Sequence, residues 1–202
     1  TDYSVSASEV DTEYAGGFSL AKKYYYHRGH AWARIEYGGR IRIGLDDFAV
    51  RLVGRLDDFR LPELGATVVQ GEAGMAFSKG EFKAESLSPV EGVVVAVNPG
   101  ITENAGLANT DPYGRGWLMI VEPTRLKKNL KSLLFDMESR AWIEDETRRL
   151  ASLVQGESGY RLAATGGRAV NDIAAHIPEV GWNRLVKMFL LTVLEILRFL
   201  SR

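Results

Sequence analysis

The chain is expected to fold as a sandwich or barrel of short β-strands followed by a helical C-terminal region, and three observations carry that expectation. From position 24 to position 121, short alternating or β-branched runs recur every few residues, each closed by Gly, Pro, Asn or Asp. After Pro123 the texture changes, and Leu126, Leu130, Leu133 and Leu134 fall at helical spacing. The stretch 182–200 is the clearest helix, with one polar arc and one wide apolar arc. The expected organisation is an N-terminal tail or arm over 1–22, a β domain over 23–135 and a helical extension over 136–202, without internal repeats.

Taken in order, residues 1–20 are polar with scattered Ser, Asp and Glu, and read as a tail or as an arm laid over a partner. Tyr24-Tyr25-Tyr26 opens the first strand. The run from Ala31 to Tyr37 alternates, Gly38-Gly39 turns, and the run from Arg40 to Gly44 alternates again, which is a hairpin pattern. Asp46 or Asp47 caps a short helix reaching Leu52. Leu61-Pro62-Glu63-Leu64-Gly65 is a turn, and 68–72, 74–78 and 83–87 are short strands. A β-branched strand over 89–97 and a last one over 116–121 complete the set. Beyond them, a helix over 138–154 uses Trp142, Ile143, Leu150 and Leu153 as its apolar members. Glycines at 156, 159, 166 and 167 break the chain, and a short helix over 169–177 ends at Pro178.

Composition narrows the function. Lys and Arg number 25 against 26 Asp and Glu, for a net charge of -1, so nothing calls for a nucleic-acid partner. There is no cysteine, which removes disulfides, thiolate catalysis and Cys-ligated zinc, and suits a reducing compartment such as the cytoplasm. No basic and apolar leader opens the chain, and the longest charge-free run near the C-terminus is 188–194, too short to span a bilayer.

Candidates for chemistry are few. His27 and His30 lie three apart without acidic neighbours at metal-ligand spacing, and His30 reads as packed and hydrogen-bonded. Asp46-Asp47 suits helix capping, whereas Asp57-Asp58 has no evident role. The glycine-rich pieces at 113–116 and 165–168 match neither a phosphate loop nor a dinucleotide fingerprint. No catalytic constellation emerges, and the chain is expected not to be an enzyme.

One set of motifs is more specific. His30-Ala31-Trp32, then Gly44 with Asp47, Ala49 and Gly54, then Leu61-Pro62-Glu63 with Gly65, and Gly71 follow one another in order. Ser88-Pro89-Val90 with Gly92, Val97-Asn98, and Asp111-Pro112-Tyr113-Gly114 with Gly116-Trp117-Leu118 continue it, without a gap from Gly71 to Trp117. Over roughly 23–134 the chain thereby resembles the H-protein of the glycine cleavage system, of the lipoyl/biotinyl type. The resemblance implies a flattened β-sandwich or hybrid barrel with a lysine at a hairpin tip. That lysine's amine would form the amide to lipoate.

Counting back from Pro89 in that register, the tip position is Glu81, which has no amine to acylate. Lys79 and Lys83 flank it and are the alternative attachment points. The family ends soon after the sandwich, whereas this chain continues with a helix whose apolar members include Trp182, Met188, Phe189, Val193, Ile196, Phe199 and Leu200. That face is expected to pack on the chain's own helices or to dock on a partner, in preference to a membrane surface. The leading expectation is therefore a non-enzymatic H-protein-like subunit that docks other protein subunits in a larger complex and takes no cofactor. The alternative is a lipoate-bearing shuttle modified on Lys79 or Lys83.

Overall fold

The computed structural model describes residues 10–154 and 167–190. The main sheet has seven strands in the order β12 (Leu134–Phe135), β3 (Tyr25–Tyr26), β4 (Ala31–Ile35), β5 (Ile41–Leu45), β11 (Met119–Pro123), β10 (Gly92–Val97) and β7 (Thr67–Val68). A second sheet has three, β6 (Asp58–Arg60), β8 (Ala73–Lys79) and β9 (Phe82–Leu87). A ribbon of β1 (Thr12–Ala15) and β2 (Phe18–Ala21) stands apart, and each strand pairing among the described residues is antiparallel. This is the sandwich of short strands with C-terminal helices that the strand pattern led us to expect, in the flattened form that the family resemblance implied.

The core sits where β4 and β5 are covered on both faces. Trp32 is fully buried and lies over Gly44, where a Cβ would come within 2.5 Å of Trp32 Cζ2. The Trp32 indole N–H donates to the carbonyls of Leu45 (3.0 Å) and Pro112 (3.1 Å). Tyr113 stacks edge-on with Tyr24, donates its hydroxyl to Ser19 O (2.6 Å) and accepts from Asp47 N (3.2 Å). The unusual run at 111–118 is thus a buttress that joins the N-terminal ribbon, the sheet and the helix α1 (Asp47–Val53). Asp46 caps α1 by accepting from Ala49 N at 2.8 Å, as its position in the sequence suggested.

Several elements depart from expectation. Residues 12–21 are a ribbon instead of a polar tail, because Gly16 and Gly17 take positive φ at its turn while Phe18 and Leu20 bury themselves. Of the leucines after Pro123, Leu126 and Leu130 lie in α4 (Leu126–Lys131), Leu133 in the bend after it and Leu134 in β12, where it pairs with Tyr26. The strand expected over 116–121 starts at Met119 because Gly116 N is held by Asp111 O at 2.8 Å. The helix expected over 169–177 shrinks to α6 (Ile173–His176), because Ala169 N is taken by Gly17 O (2.9 Å) and Asp172 is left-handed.

The extension is bound to the sandwich. Alongside the short α2 (Pro99–Glu103) and α3 (Leu107–Thr110), the chain forms α5 (Met137–Ser152) and α7 (Trp182–Phe189). Trp182, Leu185, Val186 and Phe189 are buried, while Asn183, Arg184 and Lys187 are exposed, so the two arcs read from the sequence hold here. Phe189 meets Phe48 (ring centroids 5.3 Å apart) and the Arg149 guanidinium, and Trp182 donates its indole N–H to Val53 O at 3.0 Å. Among the described residues, no helix is long and apolar enough to cross a membrane.

Candidate functional site

The β8–β9 hairpin projects from the smaller sheet. Pairing of Lys79 with Phe82 leaves Gly80 and Glu81 as a two-residue turn. Gly80 has φ +56°, which suits the first central position of such a turn. Glu81 is exposed at the apex, where the register from Pro89 puts it. Asp57, for which the sequence offered no role, accepts from Gly80 N at 2.6 Å and pins the turn to the strand below. The signal for it was present but weak, an Asp beside a strand that pairs with the hairpin stem.

Cross-strand partners share a face, so the hairpin has two unlike sides. The inner side carries Met75, Phe77, Lys79, Phe82, Ala84 and Ser86, with Met75, Phe77 and Ser86 buried. The outer side carries Ala76, Ser78, Lys83 and Glu85. Lys79 and Lys83, which extended-chain spacing would place on one face, are separated by the turn. Lys79 Nζ lies 2.5 Å from Asp172 Oδ2 and 3.3 Å from Val53 O. Phe82 stacks on Trp182 with centroids 5.1 Å apart. Lys83 is exposed, and among the described residues it has no ion-pair or hydrogen-bond partner. Trp182 and Phe189, expected at an interface, lie in the chain's own core, and Met188 is half-buried. Val193, Ile196, Phe199 and Leu200 lie outside the described residues.

His27 and His30 do not join this site. His30, wholly buried with φ +65°, is stacked on Phe48 and packs against a tilted Trp142 ring, with centroids 4.3 Å and 4.6 Å away. Its Nδ1 meets Asp46 Oδ2 at 2.8 Å and its Nε2 lies 3.5 Å from Glu146 Oε2. Burial lowers its pKa, but the charge and hydrogen bond of Asp46, aided by Glu146, outweigh burial and raise it to about 9. His27 behaves oppositely, because burial and the neighbouring His30 and Arg28 lower its pKa to about 4. Its Nδ1 accepts from Gly29 N at 3.0 Å. His30 is a charged clamp between α1 and α5, closed to any substrate.

A family model for the glycine cleavage H-protein matches residues 24–146. The chain belongs to the glycine cleavage H-protein family. It is 31% identical over 129 residues to a probable glycine cleavage system H protein of Thermococcus kodakarensis, covering 64% of this chain and 93% of that one. It is 34% identical over 119 residues to the glycine cleavage system H protein of Xanthomonas campestris pv. campestris, covering 59% and 90%. The crystal structure of a glycine cleavage system H protein from Mycobacterium marinum superposes with a TM-score of 0.55 at 29% identity, covering 63% of this chain and 98% of that one.

H-proteins are carrier subunits without catalysis of their own, in agreement with the lack of a catalytic constellation in the sequence. The expectation that no cofactor belongs to this chain is corrected by the same finding, because lipoate is the group this family carries. The apex residue does not fit an amide to lipoate, since Glu81 offers only a carboxylate. Lys79 has its ammonium engaged on the inner side. Lys83 has the amine, the exposure and the outward aspect that the group requires.

Proposed function

We propose that this chain is a non-catalytic, carrier-type subunit of a multi-protein assembly, and that Lys83 is its lipoyl attachment point. The hairpin is then the element presented to partners, with attachment two residues beyond the family's apex. The observation that carries the reading is the contrast between the two lysines: Lys83 stands free on the outer face while Lys79 is tied down on the inner one. A swinging group needs an exposed root on a rigid support, and a paired strand beside a pinned turn meets both needs. When bound, the lipoyl dithiolane supplies carriage of an aminomethyl group between partner enzymes in this family. The chain's own residues would hold and orient the arm.

A second reading is favoured by Glu81. A carboxylate at the apex makes the hairpin a shaped, charged surface, and the same sheet then serves as a docking component of the assembly. Peptide mass spectrometry across residues 72–92 of the native protein, with Lys83→Arg beside it, separates the two. A lipoyl adduct that disappears in K83R supports the carrier reading. Unmodified Lys83, in cells whose other lipoyl proteins are modified, overturns it in favour of docking.

A further inference from the structure

The inner face of the hairpin is covered by a part of the chain that lies beyond the family match at 24–146. Segment 167–190 reaches it at Lys79, Phe82 and Phe77, and is tied to the end of α1 beside it. Asp172 meets Lys79 Nζ, Trp182 stacks on Phe82 and stands edge-on to Phe77 (6.3 Å), and the Trp182 indole N–H donates to Val53 O. Between segment and hairpin runs an open groove of about 550 Å³, lined by Lys79, Phe82, Asp172, Pro178 and Trp182 among others.

Asp172 is the telling residue. It stands directly before α6, where an aspartate ordinarily accepts from the first backbone N–H groups of the helix. It makes no such bond, and its backbone is left-handed at φ +56° and ψ +55°. Its Oδ2 is spent on Lys79, and its Oδ1 is buried without a hydrogen bond. Local stability is forgone at this residue in favour of a contact with the hairpin. The hairpin side of this contact is one ion pair and a Phe82 ring left 45% exposed, whereas Ile173, Ile177, Leu185 and Phe189 are fully buried in the core, so the segment parts from the hairpin more readily than it leaves α1.

We infer that residues 167–190 form a latch over the inner face of the hairpin, holding the Lys79 amine out of reach until the segment is lifted. Latched, the hairpin offers a single amine, Lys83. Lifted by a partner that takes Trp182 or the α6–α7 surface, it offers a second amine and an apolar strip of Phe77 and Phe82. The inference builds on the reading of Lys83 as the carrier amine, but its test uses chemical acylation, so it stands or fails without lipoylation.

The probe is N-acetoxysuccinimide on the full-length protein, read lysine by lysine by mass spectrometry. The amine attacks the ester carbonyl, an amide forms at Nζ, and N-hydroxysuccinimide leaves with the displaced proton. Lys79 is expected to react about tenfold or more slowly than Lys83, the factor that loss of one charge-assisted hydrogen bond corresponds to. Asp172→Ala should remove most of that difference while the reactivity of Lys83 stays constant. Phe82→Ala, which does not touch the Lys79 ammonium, should also speed Lys79 severalfold, and deuterium uptake over 171–190 should rise with it. Equal rates for the two lysines in the wild type overturn the latch. So does a Lys79 rate unmoved by Phe82→Ala, which would reduce the contact to a plain ion pair.

Discussion

The β4–β5 hairpin and the β8–β9 hairpin are both antiparallel pairs closed by glycine-containing turns, but their surroundings differ. β5 is buried along its whole length, and Trp32 and Tyr113 fill one of its sides. β8 and β9 bury one face and leave the other to solvent. Charge follows the same division. Inside, His30 is neutralised by Asp46 and Glu146, whereas on the outer hairpin face Lys83 is exposed and, among the described residues, unpaired. The difference teaches that one hairpin is a structural wall and the other a presenting surface, and each can be altered without the other.

The largest effect should come from the wall. Trp32→Ala removes a fully buried indole and its bonds to Leu45 and Pro112, and should cost about 4 kcal/mol in urea unfolding. If it cost under about 1 kcal/mol, comparable to a surface change, the two hairpins would not differ as described.

Next is the buried charge. His30 has a folded pKa near 9, above its unfolded value, so its contribution is complete below about pH 6.5 and lost as pH rises toward 9. At about 1.4 kcal/mol for each pH unit between the two values, the loss is roughly 3 kcal/mol. His27, with a folded pKa near 4, acts on the other side: stability falls as pH drops from about 6.5 toward 4, by a comparable amount. Stability measured against pH should therefore peak near 6.5. His30→Gln should flatten the alkaline limb and His27→Gln the acidic one. A profile with no alkaline limb would mean that His30 is neutral in the fold.

On the presenting side the effects shrink. Asp57→Ala should cost about 1 kcal/mol and speed exchange of the Gly80 amide, leaving the amides of β5 unchanged. Glu81→Lys should move stability by less than about 0.5 kcal/mol, since the apex is exposed. It should nevertheless create an amine where the family has one. Modification of that lysine by a lipoate-protein ligase in vitro would sharpen the contrast between wall and presenting surface, and failure would show that the apex has lost the presentation the family requires.

Much of this division was legible in the sequence. Strand alternation located β4 and β5, the β-branched run over 89–97 located β10, and the capping pattern at Asp46 located α1. The run from Asp111 to Leu118 marked the family, because each residue there meets a fixed partner such as Trp32 or Asn98. What escaped depends on contacts distant in sequence. The ribbon at 12–21 is short and polar outside, so its four buried positions, Ala15, Phe18, Leu20 and Ala21, gave too little pattern. The turn that separates Lys79 from Lys83 inverts a spacing argument that assumed an extended chain. Asp172 stands before a short helix, and its carboxylate is bonded to a strand 93 positions away, a contact that local pattern does not reveal.

The bonds that hold the C-terminal segment also say something about time. Arg51 reaches Ala169 and Asn171 across 118 and 120 positions, and Val53 accepts from Trp182 across 129. During synthesis the sandwich has its strands well before those partners leave the ribosome, so docking of the segment is a late, separate event. Refolding should accordingly show a slow last phase, seen by Trp182 and silent for Trp32, during which the hairpin is formed but still uncovered.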